Sequence, residues 1–232
     1  MDAKPGKSFI TLRRVLTKIN RHGLINSTMQ FILRIESYLF DHRYGVDTFR
    51  NVHLTDLKIE GASTAFGRRY QPMLVRHVKQ ILKDIDPQPN DVLVDFGSGK
   101  GRVLLVSSLF SFKRIVGVEF SPELCAIAEG NIKSFRQGRS VCPIRIHCMD
   151  ALNYRIDPEE NIFFFFNPFD IPILNQVVRN IEASHQDYPR KIRIVLINLD
   201  SERVKSVFKM FSRITDTQLH GLPFQIYETT AD

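Results

Sequence analysis

Cysteine is scarce in this 232-residue chain: Cys125, Cys142 and Cys148 make up the whole set, and no C-x-x-C pair occurs. An odd, scattered set fits a reducing compartment and argues against a disulfide framework or a thiolate zinc site. The seven histidines do not make up for this, because no H-x-x-x-H or Cys/His cluster is present. His147 beside Cys148 reads as strand packing. No apolar run approaches the length needed to cross a bilayer, and Met1–Ile10 lacks a sustained apolar stretch, so a secretory leader is not expected. Internal repeats and low-complexity segments are also missing. We therefore expect a cytoplasmic protein with no resident metal and no transmembrane segment.

What is present is ordinary in composition and uneven in charge. Hydrophobic content of 43% and charged content of 25% suit a soluble domain. The length allows one sizeable core with an appendage. The net charge of +7 belongs mostly to one end: residues 1–34 hold seven basic side chains against Asp2 alone, and the other 198 residues carry 25 basic and 24 acidic groups. A globally cationic surface is excluded. Within the arm, Leu12, Val15, Leu16 and Ile19 follow helical spacing, and a second helix is expected over about 26–40, with Ile32, Ile35 and Leu39 among its apolar positions. Such an arm is a candidate contact for nucleic acid or an anionic membrane surface, or else a cap on the domain.

Residues 41–65 read as an irregular connection. A helix is expected over 73–82, with Pro72 in its first turn. Beyond Pro89, apolar strands and helices alternate. Strands are expected at 92–96, 114–119, 144–149, 161–166 and 192–198. Helices are expected at 100–110, 122–135 (capped by Ser121), 172–183 and 201–211. Two short β-prone segments near 213–219 and 224–228 close the chain. Continuously apolar strands separated by helices predict a doubly wound α/β fold, a parallel sheet covered on both faces. We divide the chain into a basic helical extension, 1–66, and a core domain, 67–232. Ligands in such sheets bind beyond the carboxyl ends of the strands, where Asp95, Glu119, Asp150 and Asn167 fall.

The organising stretch is Val92-Leu93-Val94-Asp95-Phe96-Gly97-Ser98-Gly99-Lys100-Gly101-Arg102. Gly99-Lys100 suggests a P-loop, but Val94 stands where that motif needs its first glycine and Gly101 where it needs a hydroxyl. A dinucleotide fingerprint fails at Arg102, where glycine or alanine is required. Asp95 at the strand tip would repel a pyrophosphate and favour a cationic ligand without phosphate, such as S-adenosylmethionine. Glu119 is positioned to accept ribose hydroxyls, and Asp150 to accept from an adenine amine.

These three segments, 92–102, 115–121 and 148–151, resemble the successive cofactor motifs of class I S-adenosylmethionine-dependent methyltransferases. The resemblance covers roughly residues 67–228. It implies a mostly parallel seven-strand sheet ending in an antiparallel hairpin, with S-adenosylmethionine as cofactor. It also implies that Asp95, Gly97, Ser98, Gly99 and Gly101 line the methionine end. Glu119 would take the ribose, Phe120 would lie against the adenine, and Asp150 with Ala151 would flank the adenine edge.

For the acceptor, Asn167-Pro168-Phe169 resembles the [D/N]-P-P-[F/Y] motif of amino-group methyltransferases, with one proline fewer. The Asn167 oxygen and the Pro168 carbonyl would accept from the nitrogen, and Phe169 would wall it. Tyr70-Gln71-Pro72 resembles the Y-x-P element of some seven-strand protein-lysine methyltransferases, which would put Tyr70 at the cofactor. The expected function is methyl transfer to an amine nitrogen, a protein amine such as lysine being favoured over a nucleobase or a small-molecule amine. A non-catalytic module that docks partners through its basic arm is the reading from another class.

Overall fold

The computed structural model describes residues 28–50, 71–136, 142–166, 170–199, 204, 207–208 and 210–229. Its strands are β1 (Val92–Phe96), β2 (Arg114–Glu119), β3 (Ile144–Cys148), β4 (Ile162–Phe166), β5 (Arg193–Ile197), β6 (Phe211–Leu219) and β7 (Leu222–Thr229). They form one sheet in the order β3-β2-β1-β4-β5-β7-β6. The first five are parallel; β7 runs antiparallel to β5 and β6 antiparallel to β7. This is the doubly wound sheet with a terminal hairpin that the alternating pattern and the resemblance implied.

The helices are α1 (28–44), α2 (Val75–Ile85), α3 (Arg102–Ser107), α4 (Pro122–Arg136) and α5 (Ile171–Asp187), with a 3-10 turn at Ala151–Asn153. β1 is buried along its whole length, as a strand covered on both faces must be. Successive residues point to opposite sides. Leu93 belongs to the core cluster that holds Val78, Ile81 and Leu82 of α2 and Leu104 and Leu105 of α3, whereas Val94 and Phe96 belong to the one that holds Val177, Val178 and Ile181 of α5. Ser121 caps α4, accepting from Leu124 N at 3.3 Å.

Several expectations need correction. α5 runs to Asp187, well past 183, and α3 occupies only 102–107 of the expected 100–110. Pro72 precedes α2 instead of forming its first turn, and Leu74 at the N-cap has no side chain to cap with. Ser37 of α1 supplies the missing acceptor, taking the Val75 N–H at 3.0 Å. Ile32, Ile35 and Leu39 point outward, and the inner face of α1 is Leu33, Ser37 and Phe40. Periodicity defines a stripe; the packing partner decides which stripe is covered. His147 and Cys148 are exposed, because β3 is an edge strand, and the His147 ring leans on Tyr154 at 5.4 Å. The domain boundary at 66, the arm helix at 9–19 and most of the expected helix at 201–211 lie outside the described residues.

Candidate active site at the carboxyl edge of the sheet

β1 runs directly into a loop whose three glycines all take left-handed conformations: Gly97 at φ 76°, Gly99 at 53° and Gly101 at 83°. A side chain at any of them would be strained, so the alternate-glycine spacing is a backbone requirement. Gly97 N and Ser98 N donate to Val118 O at 2.8 and 3.2 Å, and Gly101 N donates to Ser98 O at 2.9 Å. The loop is thereby folded back over the end of β2. Space beneath it is minimal. A Cβ on Gly117 would sit 2.7 Å from both Ser98 Oγ and Leu104 Cδ1, and 2.9 Å from Ile146 Cδ1.

Glu119 ends β2 with its carboxylate buried beneath the loop. Oε2 accepts from Gly99 N at 2.9 Å, and Oε1 accepts from Phe120 N at 3.1 Å and Ser121 N at 3.0 Å. A carboxylate offers about four lone-pair positions, so these three donors leave one of them, on Oε2. The arrangement therefore has room for one ligand hydroxyl; a second must share Oε2 or displace Gly99 N. Burial raises the pKa of Glu119, and the three backbone donors oppose that rise. Asp95, two per cent exposed, is also pushed well above the usual carboxylate range, first by burial and then by the charge of Glu119. Two buried acids at adjacent strand tips form a site in which an added positive charge is strongly favoured.

Phe120 follows Glu119 and is half-buried. Asp150 accepts from Leu152 N at 2.9 Å and so caps the 3-10 turn that begins with Ala151, placing both residues beside the end of β3. Asp95, Gly97, Ser98, Gly99, Gly101, Glu119, Phe120, Asp150 and Ala151 are thus brought to one edge of the sheet. Tyr70, Asn167, Pro168 and Phe169 lie outside the described residues. Among the described residues no cluster of His, Cys, Asp and Glu could hold a metal ion.

Sequence reasoning missed how the loop is anchored. Lys100 and Arg102, which served only to exclude phosphate motifs, are buried and paired with the end of α1 and the segment that follows it. Lys100 Nζ lies 3.0 Å from Asp47 Oδ2. Arg102 reaches Asp41 Oδ1 at 3.1 Å, Thr48 Oγ1 at 2.7 Å and the Met73 carbonyl at 3.2 Å. Asp41 in turn takes the Thr48 and Phe49 N–H groups at 2.6 Å each. Asn131 of α4 accepts from Asp47 N at 2.8 Å and donates to the Lys100 carbonyl at 3.0 Å. Residues 41–50 are therefore part of the site wall. The signal available in the sequence was two cations beside a buried loop with no phosphate to neutralise, which required carboxylates from elsewhere.

Beside this wall a cavity of about 240 Å³ opens at the end of β4, lined among others by Gln30, Arg34, Phe49, His77, Phe166 and His220. Phe166 is the last residue of β4. The β6–β7 turn reaches the same edge because Ile197, ending β5, pairs antiparallel with Phe224. The rings of His77 and His220 stack at 5.6 Å, and Gln30 donates to the His220 carbonyl at 3.2 Å. Burial, and then His220, lower the His77 pKa to about 4, so the buried imidazole is neutral at pH 7. No described carboxylate lines this cavity.

A family model described as histone methylation protein DOT1 matches residues 59–150. No curated protein matches the chain. Among solved structures, an RNA methyltransferase from Salinibacter ruber in complex with S-adenosyl-L-homocysteine is similar with a TM-score of 0.52 and 20% identity, over 69% of this chain and 95% of that one. TrmN from Thermus thermophilus gives a TM-score of 0.55 at 15% identity, over 68% of this chain and 49% of that one. A putative methyltransferase, yhhF from Escherichia coli, gives 0.54 at 16%, over 68% and 88%. At such identities the likeness is one of fold.

Proposed function

We propose that this chain, which has the class I methyltransferase fold, is an S-adenosylmethionine-dependent methyltransferase acting on an amine nitrogen. The observation that carries the reading is the pair of buried acids, Asp95 and Glu119, beneath a loop of three left-handed glycines. The residues present fit that cofactor. Exposed Gly97 leaves the backbone open to close approach, Glu119 keeps a lone pair for a ribose hydroxyl, and Asp95 gains from a neighbouring cation. When bound, the cofactor supplies a methyl group activated by its sulfonium.

The protein's share of the chemistry is alignment and exclusion of water. The acceptor nitrogen would have to be neutral, with its lone pair free, and the proton it gives up on methylation would pass to solvent. In our reading Asn167 and the Pro168 carbonyl hold the N–H groups so that the lone pair faces the methyl, with Phe169 as a wall and Tyr70 covering the cofactor. The match to the DOT1 description and the Tyr70-Gln71-Pro72 sequence support a protein lysine as acceptor. A second reading, a nucleobase amine, is favoured by the cavity beside β4, whose described lining carries Arg34 and two histidines but no acid.

Calorimetry with S-adenosylhomocysteine tests the cofactor. Binding is expected for the wild type and should be lost in Asp95→Ala and Glu119→Ala; no heat, or binding indifferent to both changes, overturns the reading. Labelling of a lysate with methyl-labelled cofactor separates protein from RNA acceptors. Asn167→Ala should abolish turnover while cofactor affinity holds within about threefold, as for a group that contacts only the acceptor.

A further inference from the structure

Helix α1 carries two apolar faces, and the described residues cover only one of them. Leu33, Ser37 and Phe40 are buried against the domain, with Ser37 tied to the start of α2. On the opposite side Phe31, Ile32, Ile35, Tyr38 and Leu39 are 63%, 45%, 41%, 59% and 56% exposed. At about 100° per residue these five side chains fall within one third of the helix circumference. They form one continuous stripe, about 12 Å long at a rise of 1.5 Å per residue. An isolated exposed leucine needs no explanation, but a contiguous aromatic and aliphatic stripe marks a contact surface.

Charge identifies what that surface meets. Arg34 and Arg43 flank the stripe on its two sides, and His42 lies in line with it. The acids of α1 are already committed: Glu36 pairs with Arg76 at 2.7 Å, and Asp41 faces inward to Arg102. The chain leading into α1 is basic as well, with six cations against Asp2 in residues 1–27. A second copy of the chain would set these cations against their own like. RNA would satisfy the charge, but Ile32, Ile35 and Leu39 would gain little from stacked bases. An apolar face flanked by arginines is what an interfacial helix presents to lipid, with the apolar side chains entering the acyl boundary and the cations meeting headgroups.

We propose that the outer face of α1 docks the protein on an anionic phospholipid surface, through Phe31, Ile32, Ile35, Tyr38 and Leu39, with Arg34 and Arg43 on headgroups. The cavity at the end of β4 lies along the Gln30–Arg34 side of the same helix, so docking brings the carboxyl edge of the sheet close to the bilayer.

The test is co-sedimentation of the full chain with phosphatidylcholine vesicles, with and without about 30% phosphatidylserine. Binding is expected only to the anionic vesicles and should weaken as salt rises. The double variant Ile35→Glu, Leu39→Glu should bind them about tenfold or more weakly, while its binding of S-adenosylhomocysteine, measured in parallel, shows that it remains folded. Ile35→Ser, Leu39→Ser provides the same comparison without added charge. Equal binding to neutral and anionic vesicles, or no loss in either variant, overturns the proposal. So does a dimer in sedimentation velocity that the variants dissolve without any vesicle binding, or an RNA oligomer bound in place of vesicles.

Discussion

Replacing Arg102 with methionine removes the cation that joins the glycine loop to residues 41–50 while keeping much of its apolar volume. The guanidinium is two per cent exposed and holds Asp41 Oδ1, Thr48 Oγ1 and the Met73 carbonyl, with its charge 5.3 Å from the Phe49 ring centre. Removing one partner of a buried pair typically costs about 3–5 kcal/mol, because the other charge is left behind. Asp41 keeps the Thr48 N, Phe49 N and Thr48 Oγ1 donors, which places the cost near the lower end, about 3 kcal/mol. For a chain of this size that corresponds to a fall in Tm of about 6–12 °C. Urea and thermal unfolding of Arg102→Met, Asp41→Asn and the double variant would measure it. The double variant should cost clearly less than the sum of the singles, by about 1–3 kcal/mol of coupling. Additive effects, or a loss below about 1 kcal/mol for Arg102→Met, would refute the claim that this pair ties α1 to the site.

Three further outcomes are expected. Gly117→Ala pushes a methyl into Ser98, Leu104 and Ile146; it should destabilise by about 1–3 kcal/mol in urea and weaken cofactor binding by shifting the loop, and unchanged affinity with full stability would contradict the packing. His77 has a folded pKa of about 4 against an unfolded value of 6.5, so the unfolded chain binds more protons between them. Stability should therefore fall as pH drops from about 6.5 toward 4, and His77→Leu should flatten that slope in acid-titrated thermal melts. Asp95 and Glu119 are raised, so the folded chain holds protons there above the usual carboxylate range, and stability declines as pH rises through that window. A cationic cofactor should then release protons on binding. Calorimetry of S-adenosylmethionine in buffers of different ionisation enthalpy would detect this, with less release for the uncharged sulfur of S-adenosylhomocysteine; equal release for both would refute the role given to Asp95.

Much of the fold was legible because its rules are local. Strands buried on both faces have no polar alternation, so Val92–Phe96 and Ile162–Phe166 stand out as apolar runs. The Ser121 cap, Pro122 at the first helical turn and the left-handed glycines after β1 depend on backbone geometry within a few residues. A parallel sheet then brings the ends of β1, β2 and β3 to one edge, because each crossover returns the chain in the same direction. The gathering of Asp95, Glu119 and Asp150 followed from that order of elements.

Tertiary structure decided whatever depends on a partner distant in sequence. A helical stripe can be read from spacing, but α1 has two of them, and the acceptor need of the Val75 N–H, met by Ser37, helps select the inner one. Lys100 and Arg102 meet Asp47 and Asp41 across more than fifty residues, a pairing that no local pattern records. Glu119 shows both kinds of contact: Phe120 N and Ser121 N are local donors, whereas Gly99 N reaches it from the preceding strand's loop, and together they leave one lone-pair position. The sequence by itself determined which residues reach the carboxyl edge, since sheet topology carries them there. Only the packed structure decided what holds them, how their charges are balanced and which face of α1 the domain covers, because burial and ion pairing belong to contacts between segments and not to any one of them.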